Sequence, residues 1–269
     1  MKKSQLIYQY IREQRAVSKQ DIVIGLGLSL PTITQNLNNL AELGLIDTSK
    51  KISNTGGRNA IAYSYVEKAR YAVGLYLNRH HINCVAVDLS GNVISLIRVR
   101  ENFDLNDDNY LRKIGETVEE VKKDTGLPDD RFLGVGIAVQ GLISDDGERV
   151  TYGLTLNFTG VTRADIAKYI PYHNRLFHDS AAAGYAEVWD RNDLDDAFYL
   201  SLSNSVGGAV IVANKIFEGE RRKSGEIGHM TIIPKAGDRC YCGQRGCFDT
   251  VCRANVLAEY ADGDLEKIL

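Results

Sequence analysis

Three of the chain's five cysteines fall within eight residues, at Cys240, Cys242 and Cys247, and His229 stands eleven residues before the first of them. One imidazole nitrogen and three thiolates make a closed tetrahedral donor set, which zinc fills as a structural ion because no coordination position stays open for chemistry. The intervening glycines allow the loop to fold back around an ion. A disulfide between Cys240 and Cys242 would be strained, and clustered cysteines in a chain without a secretory leader favour metal over disulfides. The plainer alternative is three unpaired thiols in a turn. Cys84 and Cys252 read as ordinary buried thiols, with Cys252 near enough to serve as a spare ligand.

These residues need a scaffold, and the sequence supplies two kinds. The 269-residue chain has 44% hydrophobic and 25% charged residues, which excludes a disordered or fibrous chain, and its length allows for about two domains. No apolar run approaches the roughly 18–20 residues of a membrane helix, and no apolar segment follows the basic N-terminus, so a cytoplasmic protein is expected. The net charge of -3 is uneven: residues 1–65 carry +4 and the remainder -7. A basic head on an acidic body fits contact with a polyanion, and random surface charge is the competing explanation.

Within the head, Leu6, Ile7, Tyr10 and Ile11 follow a helical spacing. Ser18 caps a second short helix through Ile24, which Gly25 and Gly27 end; Ser29 caps a third, with Pro31 in its first turn and Gly44 past its end. Ile33, Leu37, Leu40 and Leu43 form its expected buried stripe. Its outward residues, Thr32, Thr34, Gln35, Asn36, Asn38 and Asn39, are short polar side chains that reach base edges and phosphates. Two strands follow around a basic turn holding Arg58, which suits a minor groove or a phosphate. This is a winged helix-turn-helix plan, with Ser29, Thr32, Thr34, Gln35, Asn38 and Arg58 as DNA contacts. A protein-docking module with a closing hairpin is the alternative.

From Tyr71 the pattern becomes α/β: strands over 71–77, 82–88, 93–100 and 132–139, a long amphipathic helix near 107–125, a strand end at 176–179, an Ala-rich helix over 180–190, strands over 197–202 and 208–213, and a helical pattern over 255–269.

The order Gly225-Glu226-Ile227-Gly228-His229 followed by Cys240-Tyr241-Cys242-Gly243-Gln244-Arg245-Gly246-Cys247 resembles the signature of the ROK family of repressors and sugar kinases. The head resembles that of the family's sugar-responsive repressors, and His178-Asp179-Ser180-Ala181-Ala182-Ala183 resembles its sugar-binding segment. The resemblance implies an actin-like, ribonuclease-H-like two-lobe sugar-kinase fold behind a winged helix-turn-helix: residues 1–65 as the DNA-binding domain, 70–178 as the small lobe, and 179–269 as a large lobe with the zinc loop, cut short at its C-terminus. It implies that Asp179 matches the kinase general base and that Glu226 and His229 hold sugar hydroxyls, His229 also ligating zinc through its other ring nitrogen. His178 replaces the usual asparagine, and Asp249 stands where the family often has a glutamate.

Departures from the family pattern separate kinase from sensor. Where the kinases carry Asp-x-Gly-Gly-Thr, this chain has Tyr76, Leu77, Asn78, Arg79 and His80; where they carry a Gly-Thr-Gly turn, it has Ser203, Asn204 and Ser205. Phosphoryl transfer depends on positioning and charge stabilisation, which these changes remove. The reading is therefore a sugar-responsive transcriptional regulator that binds operator DNA and a sugar or sugar phosphate, as a homodimer or higher homo-oligomer, with structural zinc and no enzymatic activity. A sugar kinase with a DNA-binding head, and a regulator controlled by a protein partner, are the alternatives.

Overall fold

The structure is a computed structural model, and it describes residues 2–52, 60–189, 195–235 and 237–259. Two compact units make up the chain: Met1–Tyr71 with Asp88–Asn92 and Pro128–Phe132, and Ala72–Val87 with Val93–Leu127 and Leu133–Leu269.

The N-terminal unit runs α1 (Lys3–Gln14), β1 (Ala16–Val17), α2 (Lys19–Leu26), α3 (Leu30–Glu42), β2 (Ile46–Asp47), β3 (Lys51–Ile52), β4 (Ala60–Ile61) and β5 (Tyr63–Tyr65). Ile7, Ile11, Ile22, Ile33, Leu37 and Leu40 form its core; burying each such side chain contributes about 1.5–3 kcal/mol. A capping box starts α2: the Ser18 hydroxyl accepts from the Asp21 N–H at 3.2 Å, and Asp21 accepts from the Ser18 N–H at 2.9 Å. Two expectations are corrected here. Gly25 does not end α2 but lies inside it, because the Tyr10 ring crosses so closely that a Cβ would come within 2.4 Å of its hydroxyl oxygen. The left-handed Gly27 ends the helix instead. Leu43 is not buried but 55% exposed, because it caps α3 at the point where Gly44, with φ +66°, turns the chain away. The strands order as β1-β5-β2, with β3 and β4 paired separately as an antiparallel hairpin. The unit extends past residue 65: the Leu89 N–H donates to Glu67 O at 3.1 Å, and Arg131 donates to Lys68 O at 3.1 Å.

The larger unit is built on a five-stranded sheet of order β12-β9-β6-β7-β8. Its strands and flanking elements are β6 (Tyr71–Leu77), β7 (His81–Asp88), β8 (Val93–Arg100), α4 (Asp108–Asp124), β9 (Phe132–Val139), β10 (Leu142–Ile143), β11 (Val150–Tyr152), α5 (Arg163–Ile166) and β12 (Asn174–His178). Strict alternation buries Tyr71, Val73, Leu75 and Leu77 on one face of β6. The apolar stripe of α4 buries Ile114, Val118 and Val121. β12 lies parallel to β9, so both strands end on the same side, and α6 (Asp179–Val188) begins directly where β12 stops. A second sheet, β13 (Ala197–Leu202), β14 (Val206–Val212) and β15 (Lys215–Ile216), packs against α6, with Gly184 at a close approach to Tyr199 and Ala209. Short helices α7 (Asp249–Cys252) and α8 (Ala254–Glu259) follow; the helix expected over 255–269 is described only to Glu259. The hairpin β10–β11 and α5 were not expected, being two to four residues long with no readable period. Among the described residues, no helix is long and apolar enough to cross a membrane.

Candidate ligand cleft and metal centre

A polar cleft opens where β9 and β12 end. Gln140 follows β9, His178 ends β12 and Asp179 begins α6, so two strand ends and a helix start put polar groups at the carboxyl ends of two parallel strands. Asp179 accepts from the Ser180 N–H at 2.8 Å. Burial pushes its carboxyl above the usual range, against the opposing pull of His178 and the Ser180 hydrogen bonds. The Tyr76 hydroxyl lies against Asp179 and accepts from Gln140 Nε2 at 3.2 Å; burial, and then the Asp179 carboxylate, push Tyr76 up to about 12.

Glu226 enters the cleft on the segment Gly225–His229. This segment rides on the backbone of β14: a Cβ on Gly225 would meet the Gly208 carbonyl oxygen at 2.2 Å, and one on Gly228 the Val206 carbonyl oxygen at 2.2 Å. Glycine is required at both positions to bring Glu226 and His229 this close. His178 Nε2 stands 3.7 Å from Asp179 and 3.8 Å from Glu226, and Glu226 stands 3.8 Å from His229 Nε2. These gaps are longer than hydrogen bonds, so the four side chains retain donor and acceptor capacity for a third molecule. Asp179 and Glu226 keep 21% and 25% of their side-chain surface open to it. Tyr152 and Tyr241 add ring faces to the cleft, and the Tyr241 ring meets that of His229 edge-on at 5.0 Å.

The other face of His229 belongs to a metal-ligand cluster. Its Nδ1 lies 3.6 Å from Cys240 Sγ, Cys242 Sγ lies 3.7 Å from Cys247 Sγ, and all four donor atoms lie within 4.8 Å of one another. A tetrahedral zinc with Zn–S of ~2.3 Å and Zn–N of ~2.05 Å would give edges of about 3.8 Å between sulfurs and about 3.6 Å between nitrogen and sulfur, so the donor set fits that ion. The loop is held by hydrogen bonds from Cys240 N–H to Gln244 O at 2.8 Å and from Gly243 N–H to Cys240 O at 2.9 Å, and by a turn through Gly246 at φ +68°. Cys252 is not part of the cluster, which removes it as a spare ligand. Cys84 is buried, and that burial pushes its thiol up to about 12.

Asp249 does not line the cleft as expected. It is 1% exposed, and its Oδ1 accepts the Val206 N–H at 2.7 Å behind the loop of residues 203–205. Its side chain is one methylene shorter than glutamate; Oδ1 is engaged by backbone, while Oδ2 is buried without a hydrogen-bond partner. His178, Asp179, Glu226 and His229 do come together in the cleft.

In the N-terminal unit, Gln35 and Asn38 are exposed on α3, with Thr32 and Thr34 half-buried. The Ser29 hydroxyl pairs with that of Thr32 at 2.9 Å. Asn36 donates to the Thr32 carbonyl at 2.8 Å and serves its own helix. Arg58 lies outside the described residues. Sequence reasoning missed Gln140, Tyr152, Thr155 and Tyr241 as cleft residues. The end of a buried strand would have pointed to Gln140, and the position between two ligand cysteines to Tyr241.

The profile of the ROK family matches residues 72–268. The xylose repressor of Bacillus subtilis (strain 168) is 26% identical over 259 residues, covering 91% of this chain and 64% of that protein. The DNA-binding transcriptional dual regulator NagC of Escherichia coli (strain K12) is 24% identical over 267 residues, covering 95% of this chain and 63% of that protein. This chain thus spans somewhat less than two thirds of these curated relatives. Among solved structures, a ROK family transcriptional regulator described as a homologue of the E. coli MLC protein shares the fold with a TM-score of 0.77 at 21% identity, over 96% of this chain and 66% of that one. A ROK family glucokinase from Streptomyces griseus, solved with glucose and AMPPNP, shares it with a TM-score of 0.60 at 20% identity, over 73% of this chain and 67% of that one. The chain belongs to the ROK family.

Proposed function

We propose that this ROK-family chain is a sugar-responsive transcriptional regulator acting in the cytoplasm, with the N-terminal unit as a winged helix-turn-helix on operator DNA and the cleft of the larger unit as the sugar sensor. The observation that carries the reading is the convergence of His178, Asp179, Glu226 and His229 in one polar cleft. Carboxylates accept from sugar hydroxyls and imidazoles can donate to them. Similarity to repressors and the exposed Gln35 and Asn38 of α3 support the DNA-binding half.

The residues at the kinase positions argue against phosphoryl transfer. Tyr76 lies against Asp179 in place of a metal-handling aspartate. In the turn that follows, Asn78 Oδ1 accepts the N–H groups of His80 at 3.0 Å and His81 at 2.9 Å. Those amides are taken by a side chain and cannot cradle a phosphate.

His229, Cys240, Cys242 and Cys247 would hold a structural zinc, which ties the loop of residues 240–247 to the segment carrying Glu226. With Nδ1 turned to the cluster, Nε2 stays directed at Glu226 and the cleft, so ligand and loop geometry are coupled through one imidazole. Ligand binding shifts the population of conformers, and by linkage the operator changes sugar affinity by the same factor as sugar changes operator affinity. Pairing of heads on two half-sites implies a homodimer or a larger assembly.

The test is selection of duplexes from a random-sequence DNA pool by the zinc-loaded chain, followed by anisotropy titrations of an enriched duplex with a panel of monosaccharides. Enrichment of a defined site whose affinity changes with one sugar is expected. Absence of any enriched duplex, or sugar-dependent ADP production from ATP and Mg²⁺, overturns the reading.

A further inference from the structure

We infer that Arg222 is a positioning residue for Glu226, tying the loop that leads into Glu226 to the β10–β11 hairpin; for what Glu226 binds, the inference rests on the sugar-sensor reading. The loop of residues 217–224 joins β15 to Gly225 and is closed on itself. Arg222 N–H donates to Gly219 O at 3.4 Å, Ser224 N–H to Glu218 O at 3.2 Å, and the Ser224 hydroxyl to Phe217 O. Among the described residues, the hydrogen bonds between this loop and the hairpin are donated by Arg222: Nη1 to Ser144 O and Nη2 to Asp145 O, both at 3.1 Å. Its Nε stands 3.3 Å from Glu218 and 3.9 Å from Asp145 Oδ1.

Two features separate this tie from a surface ion pair. First, Arg222 is left-handed, at φ +51°, and a non-glycine residue stays in that region only where its surroundings hold it. The planar guanidinium supplies the hold by meeting two consecutive carbonyls, a geometry that an ammonium does not offer. Second, packing does not duplicate the tie. A cavity of about 190 Å³ is lined by both hairpin and loop, including Leu142, Ile143, Arg175, His178, Arg222 and Glu226, so space remains beside Glu226. The hairpin is itself braced, with Ser144 N–H on Arg149 O at 2.8 Å and Glu148 N–H on Asp146 Oδ1 at 3.0 Å. It carries Leu142 and Tyr152 into the cleft that Glu226 enters. Arg222 thus joins two walls of that cleft, and the path from it to Glu226 is short, with Glu226 N–H on Lys223 O at 3.2 Å.

The experiment compares Arg222→Gly, Arg222→Ala and Arg222→Lys with the wild type, all zinc-loaded, by calorimetric melting, hydrogen exchange, and titration with D-glucose, D-xylose, D-mannose and N-acetyl-D-glucosamine. Glycine relieves the left-handed strain while removing the tie, so Arg222→Gly should melt about 1–4 °C above Arg222→Ala. Both should exchange the amides of Glu226, His229 and Met230 on the order of 10-fold faster than the wild type. Both should bind the sugar that the wild type binds about 10- to 100-fold more weakly, the worth of one hydrogen bond to a charged group. Arg222→Lys keeps the charge without the fork and should rescue neither. Arg175→Ala removes a cation from the same cavity without cutting the tie and should exchange and bind like the wild type. Exchange and affinity that merely follow Tm across the series, rescue by lysine, or an equal loss in Arg175→Ala overturns the inference and leaves the sugar-sensor reading standing. Silence of the wild type toward all four sugars counts against the sensor reading alone, and the exchange rates still decide the tie.

Discussion

Replacing Gly228 by alanine isolates the contact that places Glu226 and His229. The new Cβ would lie 2.2 Å from the Val206 carbonyl oxygen and 3.1 Å from its carbonyl carbon. The first of these is more than 1 Å short of an ordinary van der Waals contact, and both partners are backbone, one in β14 and the other in the turn Ile227–His229. Neither side can yield by rotating a side chain, so the turn must lift by about 1 Å. Overpacking of this kind costs about 1–3 kcal/mol, and for a unit of this size each kcal/mol lowers Tm by about 2–4 °C. A fall of about 2–12 °C is therefore expected. The functional loss should be larger than the stability loss, because the shift moves a ligand-contacting carboxylate and a metal-ligating imidazole together. Gly126→Ala is the control: Gly126 has φ +64° with nothing within 4 Å of the added methyl, so it should lose about 1 kcal/mol through backbone strain alone and leave ligand affinity intact. The assays are differential scanning calorimetry, and calorimetric titration with the sugar found for the wild type. If Gly228→Ala melts and binds like the wild type, the close approach to β14 does not position the site.

Asp179→Asn should stabilise the unliganded chain at neutral pH by about 1 kcal/mol while abolishing sugar binding. The folded carboxyl titrates above its ordinary value, so stability is lost as pH rises from the unfolded value through the folded one. The gain in the variant should therefore be largest at pH 7 and vanish near pH 3 in pH-dependent melts. Removal of metal with a strong chelator should lower the Tm of the larger unit and weaken sugar binding, and re-addition of zinc should restore both; Cys242→Ser should reproduce the loss without rescue. Asn38→Ala or Gln35→Ala should weaken the selected duplex by about 1–3 kcal/mol and relax base preference at one position, whereas substitution of a phosphate-contacting lysine should flatten the salt dependence.

What was readable from sequence tracks periodicity. β6, β8, β9 and β13 fall at the expected residues because each alternates or runs apolar between turn residues. β14 begins two residues earlier than expected, at Val206, because Gly207 looks like loop; it belongs to the strand, where the missing side chains of Gly207 and Gly208 admit Ser180 and Ile227. The hairpin β10–β11 has no period to detect, and with it went Tyr152, although the cleft depends on it. The metal cluster was legible because ligand type and spacing suffice, with no need to know the fold.

Asp249 stands behind the cleft lining rather than in it. The position invites a ligand contact, and a glutamate would have the length for it. Aspartate is shorter, and a buried carboxylate must find donors nearby or incur a desolvation cost; the Val206 N–H reaches Oδ1 at 2.7 Å, and Oδ2 stays buried without a partner. That bond closes one backbone amide of the loop, as Asn78 closes two more in the turn after β6 and the Tyr76 hydroxyl lies against Asp179. Under the proposed sugar-sensor function, these three residues share one physical consequence. Each places a partner within the chain on or beside a group that a phosphoryl donor would need, while Asp179, Glu226 and His229 stay open to the cleft.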